Sequence, residues 1–272
     1  MGKFGAEDLK ILLHLIIASI RSRMEYKISF IFLFFALIVY YLAQLGVIVV
    51  VLTKFGDIAG WSLGEMAFLY GLMVFSQGVT TILFGSLNDF EGQVINGDFD
   101  RLLVRPLSPL VQILASKFEI SSLAHFLIGS TALYLGSRSS GVEWTALKAL
   151  YLPVVIGGAV LIQGGMRLGV AAVCFWTIRN RSLVHILIYS SKEMILYPIS
   201  IYHRAMQMFL TIAFPLAFIN FYPSHYFLSR SGSGLLFHPY IQYMTPVAGV
   251  VVFACAYALW RLGITRYQSV GH

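Results

Sequence analysis

Long apolar runs parted by short polar stretches dominate this chain, and they predict an all-α membrane protein with six crossing helices. The first run, residues 28–52, carries no charge. Further runs follow at 66–86, 120–135, 146–176, 183–202 and 244–262. Crossing the hydrocarbon core takes about 20 predominantly apolar residues. The backbone there has no water to bond to, so it must satisfy itself as helix. Ahead of the first run the pattern changes from continuous to periodic. Leu9, Leu12, Leu13, Ile16, Ile17 and Ile20 recur at helical spacing, with Lys10, His14, Arg21 and Glu25 among the rest. Residues 7–27 are therefore expected to lie as an interfacial helix in the headgroup plane.

One apolar stretch does not fit the count. Residues 206–228 could cross a seventh time, but Pro215, Asn220 and Pro223 interrupt them. Proline removes a backbone donor and breaks a helix. A crossing would also move the tail with Arg261 and Arg266 to the other side. A re-entrant hairpin entered from the outer side is expected instead. The stretch is rich in aromatics, and Phe214, Pro215, Phe218, Asn220 and Pro223 are its candidate outer gate.

Charge placement supports this layout. With both termini inside, Lys3, Lys10, Arg21, Arg23, Lys27, Arg101, Arg105, Lys117, Arg179, Arg181, Arg261 and Arg266 face the cytoplasm. Lys54, Arg138, Lys148, Arg204 and Arg230 remain outside. Cytoplasmic loops collect Lys and Arg in this way. The net charge of +7 is thus a topology signal, set at the ends of apolar runs, and does not point to nucleic acid. Charged residues make up 11% of the chain and hydrophobic ones 58%, against about 25% charged in soluble domains. A mean hydropathy of +0.79 agrees. Cys174 and Cys255 both sit inside apolar runs, which speaks against a disulfide framework. No linker or soluble domain stands out, so residues 1–272 are expected to form one transmembrane domain.

The most informative polar stretch is 87–118, between the second and third runs. Within it, a turn at Gly97 is followed by Asp98, Phe99, Asp100, Arg101, Leu102, Leu103, Val104, Arg105 and Pro106. Phe99, Leu102 and Leu103 would share one face of a short helix, and Asp98, Arg101 and Arg105 another. Charge this dense between two spans suits docking to a soluble partner. Three charges stand deep inside apolar runs, Arg167, Lys192 and Glu193, and Arg167 and Glu193 lie about 15 Å from the same end of antiparallel spans, at 1.5 Å per residue. Intramembrane charges usually pair or face a cavity, so an Arg167–Glu193 pair is expected, with Lys192 turned to another partner or snorkelling. Gly158, Gly165, Gly169 and Ala172 give the fourth span a small-residue face for close packing.

No G-x-x-x-x-G-K-[ST] phosphate loop occurs, so ATP hydrolysis by that route is excluded for this chain. His203, His225 and His238 share only an outer-side location, and no metal site is assigned to them. The interfacial helix, the six spans, the charged loop and the broken outer segment together resemble the ABC-2 type exporter permeases. The run from Gly97 to Leu110 and the tail from Gly263 to Gly271 are similar to those of the small uncharacterised or drug-export subgroup. The resemblance implies a bacterial plasma-membrane complex of two permeases, identical or homologous, with a pair of ATP-binding-cassette ATPases. ATP and Mg would then bind the partner, and this chain would hold no cofactor. Asp98, Asp100, Arg101, Leu102, Arg105 and Pro106 would couple to the ATPase. The cargo would be an amphipathic or hydrophobic compound such as a drug, lipid or glycolipid. The alternatives are a polytopic enzyme acting on lipid and a channel or import permease.

Overall fold

The computed structural model describes residues 27–117, 119, 122–230 and 235–268. The helix expected at 7–27 lies outside these residues, apart from Lys27. Among the described residues every regular element is helical, except for one isolated bridge between Ile58 and Trp61.

The first helix, α1 (Lys27–Phe55), follows the uncharged run and remains largely exposed along its length. A tight turn leads to α2 (Leu63–Phe84), which opens on a capping box: Ser62 accepts from the Glu65 amide, and Glu65 accepts from the Ser62 amide. A 3₁₀ segment, Gly85–Asp89, carries α2 onward into α3 (Phe90–Ile95). Two short helices follow, α4 (Asp98–Leu103) and α5 (Pro109–Ser116). Next come α6 (Leu123–Ser139) and the long α7 (Ala146–Thr177). Helix α8, residues 181–194, has a π-turn at His185–Ser190. Then α9 (Arg204–Ala213) and α10 (Pro215–Phe227) form a bent pair, and α11 (Thr245–Arg266) closes the fold.

Among the described residues four helices are long and apolar enough to cross a membrane: Ile28–Phe55, Leu63–Ile95, Ala146–Thr177 and Thr245–Arg266. The bent pair would raise the number to five. The third and fifth apolar runs differ from expectation. The third forms the 17-residue α6, and the fifth stays helical only to Met194. Pro198 lacks an amide proton and drives the residue before it out of the helical region, so the chain after Met194 turns irregular. The second run, by contrast, does not stop at 86. Its helical path continues to Ile95, so the first part of the polar stretch 87–118 is a rigid extension of α2.

Two glycine contacts set the layers. A Cβ on Gly71 of α2 would lie 2.6 Å from the Leu133 nitrogen of α6, and one on Gly129 of α6 would lie 2.6 Å from the Phe75 nitrogen. Only hydrogen fits there, so the two backbones touch. Helix α7 packs on α11 in the same way: a Cβ on Gly158 would lie 2.7 Å from the Thr245 oxygen. The small-residue face of the fourth run does meet another helix, though Gly169 is open enough for ordinary contact.

Candidate functional site

Helix α4 is built to stand proud of one end of the molecule. Gly97 takes the left-handed conformation, φ 71°, which glycine adopts without strain, and reverses the chain between α3 and α4. From the new direction Phe99 enters the protein completely (0% exposed). Its ring lies 5.2 Å from Phe90, 5.4 Å from Phe175, 6.3 Å from Trp260 and 5.0 Å from Tyr267. Those rings belong to α3, to the end of α7 and to the end of α11. Edge-to-face aromatic pairs contribute about 0.5–1.5 kcal/mol each beyond their burial. The seat therefore ties α4 to three elements at once.

The other face of α4 is free. Arg101 and Asp98 form an exposed i,i+3 pair at 3.8 Å, a geometry that adds little stability. Val104 is 85% exposed, and Arg105 and Pro106 are exposed beside it. The Gln112 amide holds this tip in shape, donating to the carbonyls of Leu102 (3.1 Å) and Leu107 (2.7 Å). Leu102 is half-buried on the seat side. Asp100 faces Tyr267; burial first, and then the Asp100 charge, push that phenol up to about 12.

A second linkage runs from α3 into α8. The Glu91 carboxylate accepts from the amides of Asn180 (2.6 Å) and Arg181 (2.5 Å) at the start of α8. An anion at a helix N-terminus meets unpaired amides and the positive end of the helix dipole. The Asn180 side chain meanwhile donates to the Val170 carbonyl, at 2.8 Å. The unit α3–α4 is thus joined to α7, α8 and α11.

Between α1, α2, α7 and α8 lies a cavity of about 390 Å³. Arg167, Lys192, Gln77, Tyr41, Glu119 and His125 are among its polar lining, with Leu33 and Leu37 of α1 on one wall. Asp89 lines one end and is ion-paired with Lys117. The expected Arg167–Glu193 pair does not form. Glu193 turns to α1, where Tyr40 Oη and Gln44 Nε2 donate to its Oε1 at 3.1 and 2.9 Å. Arg167 instead donates to Thr81 Oγ1, at 3.4 Å. Depth along the chain does not fix direction: Lys192 lines the cavity, while Glu193, one residue on and so about 100° around α8, is taken up by Tyr40 and Gln44 of α1. Both cavity cations came from runs that looked apolar; Lys192 is the residue whose role the sequence left open.

At the opposite end, α9 and α10 meet at 74°. The bend falls at Phe214, whose φ −125°, ψ 89° is what a residue before proline adopts, and Pro215 begins the next turn. Phe214 stacks on Phe209 at 5.6 Å, and Phe218 packs on Tyr222 at 4.9 Å. Asn220 is buried in protein and donates to the Ile195 carbonyl at 2.7 Å; Pro223 is buried on α10. Arg230 bonds Glu65 at 2.6 Å and lies 4.3 Å over the Trp61 ring, fastening the far end of α10 to the start of α2. His225 packs on Trp61 and Phe221, while His203 and His238 accept from amides at the starts of their own helices. The three histidines thus serve separate local contacts.

The described residues thus form a helical membrane protein, with four to five candidate spans, a polar cavity and a short helix whose charged face is exposed. A family model, ABC-2 family transporter protein, matches residues 37–271. The chain belongs to that family, and it is the multi-pass permease component of an ABC transporter. The family implies association with an ABC ATPase. No curated protein and no solved structure matches the chain.

Proposed function

We propose that the chain is one of two permease subunits, identical or homologous, in an exporter of amphipathic or hydrophobic compounds. It sits in the bacterial plasma membrane with both termini and α4 on the cytoplasmic side. A pair of separate ATPases binds ATP and Mg and docks on α4. The six-span layout belongs to this reading: α6, and α8 with the irregular chain after it, complete the crossings as shorter elements. The α9–α10 hairpin then forms the outer gate, with Phe214, Phe218 and Asn220 at its bend.

The observation that carries the reading is the contrast between the two faces of α4. A helix with one fully buried aromatic anchor and an exposed tip acts as a lever. When the ATPases close on nucleotide, displacement of the tip moves Phe99, and the ring seat passes that motion to α7 and α11. Glu91 passes it to α8, which forms one wall of the cavity. The cavity would then change the side to which it opens.

Arg101 and Arg105 are exposed, so reversing both to Glu should leave the protein in the membrane. We expect the R101E/R105E variant to lose stimulation of the ATPase by the permease. Unchanged stimulation in the purified complex would overturn the role given to α4.

A further inference from the structure

We propose that the cavity between α1, α2, α7 and α8 binds the anionic headgroup, phosphate or carboxylate, of an amphiphile, with Arg167 and Lys192 as its cationic partners. As a statement about cargo this rests on the exporter reading; as a statement about binding it stands alone.

Arg167 is 3% exposed, and its Nη1 is buried without a hydrogen-bond partner. An unpaired donor on a buried cation costs several kcal/mol unless something satisfies it. Nη2 has only the long contact to Thr81. Lys192 lines the same cavity, and its ammonium lies 5.2 Å over the Tyr189 ring, a cation–π contact that supplies no counter-charge. Among the described residues Lys192 makes no ion pair. Its neighbour Glu193 is committed to Tyr40 and Gln44.

Asp89, a carboxylate of the wall, is ion-paired with Lys117. Glu193 keeps its charge near Lys192, since Tyr40 and Gln44 are neutral donors, but among the described residues it forms no ion pair with either cation. A planar guanidinium with a free edge beside a mobile ammonium is suited to an oxyanion: the first binds two oxygens in a fork and the second adds a point charge.

The walls select an amphiphile over a free ion. Leu33 and Leu37 face the cations across the cavity, and α1, which carries them, is largely exposed to its surroundings. A volume of about 390 Å³ accommodates a headgroup and the first atoms of its chains. The rest of an acyl chain would leave along α1 into the bilayer.

The test uses the full-length protein with its co-purifying chains, in phosphatidylcholine nanodiscs without ATP. A photoreactive phosphatidylglycerol is the probe, photoreactive phosphatidylcholine the control, and labelled peptides are mapped. Phosphatidylglycerol should label α8 and the Leu33–Leu37 part of α1. Labelling should fall about tenfold or more in R167Q/K192Q, the loss of a charge-assisted hydrogen bond at 1.5–3 kcal/mol. If the double variant misfolds, K192Q alone, at a half-exposed position, should still weaken labelling several-fold. Equal labelling by the two lipids, or labelling indifferent to both variants, would overturn the proposal. Displacement by inorganic phosphate as readily as by unlabelled phosphatidylglycerol would assign the site to a free anion and overturn the amphiphile. An absence of ATPase chains in the preparation would count against the exporter reading and leave this result intact.

Discussion

Phe99 shows how much can turn on one side chain. Truncating a fully buried Phe to Ala typically costs 3–5 kcal/mol, and here the lost ring joins α4 to the ends of α7 and α11. F99A should lower the thermal midpoint of the purified protein and unseat α4. Tyr267 reports this locally: a phenol held near 12 by burial and Asp100 should fall back toward 10 once exposed. The folded value is raised, so the contribution of this contact is intact below pH 10 and is lost as pH climbs through 12. A phenolate difference titration of the F99A variant against F99A/Y267F measures it, and an unshifted value near 12 would show that α4 is held by other contacts. The sequence grouped Phe99 with Leu102 and Leu103 on an apolar face, yet its partners come from residues 90, 175, 260 and 267, which local periodicity does not reveal. The same limit explains Glu193. Its partners Tyr40 and Gln44 are about 150 positions away, so depth alone gave the wrong neighbour. Arg167→Gln and Glu193→Gln should therefore combine additively in stability. Tyr40→Phe with Glu193→Gln should show coupling of at least about 0.5 kcal/mol, and the reverse pattern would restore the pair.

Elements were legible wherever the apolar run was long and unbroken, because hydrocarbon leaves the backbone no option but helix. This covers α1, α2, α7 and α11. Proline inside an apolar run does not act uniformly: α7 runs on through Pro153, Pro215 was weighed as a break, and Pro198 passed unweighed and shortened α8. Helix contacts offer a sharper test than helix limits. Gly71→Ala forces a methyl against the α6 backbone, so it should destabilise the protein markedly. Gly157→Ala on α7 meets nothing within 4 Å and should be neutral or gain up to about 1 kcal/mol from helix propensity. Thermal melts in detergent separate the two, and equal tolerance would mean that α2 and α6 do not touch. The hairpin is tested by single cysteines at Ala205 and Ser229, both exposed, in a background lacking Cys174 and Cys255. Re-entry predicts that a membrane-impermeant thiol reagent reaches both from outside. Labelling of one of them only after the cells are opened would make α9–α10 a crossing.

Across the whole chain, the proposed lever needs a path of contacts from α3–α4 to the cavity. Glu91 holds the start of α8, and Lys192 lies eleven residues on from Arg181, about 16 Å along a helix at 1.5 Å per residue. On the proposed mechanism, movement at α3–α4 would reach the wall that carries Lys192. Family membership was legible from the charged run at 97–110 and the order of spans, since both are patterns in one dimension. The path was not, because each of its joints is a long-range contact.

On the proposed mechanism the exposed tip of α4 receives an ATPase. A photo-crosslinking residue at Val104, the most exposed large apolar side chain of that tip, tests it in the native membrane. After irradiation and affinity purification we expect a covalent adduct with a separate chain that contains a G-x-x-x-x-G-K-[ST] phosphate loop, lost when Phe99→Ala unseats the helix. Adducts with lipid alone, or with no phosphate-loop protein, would contradict it.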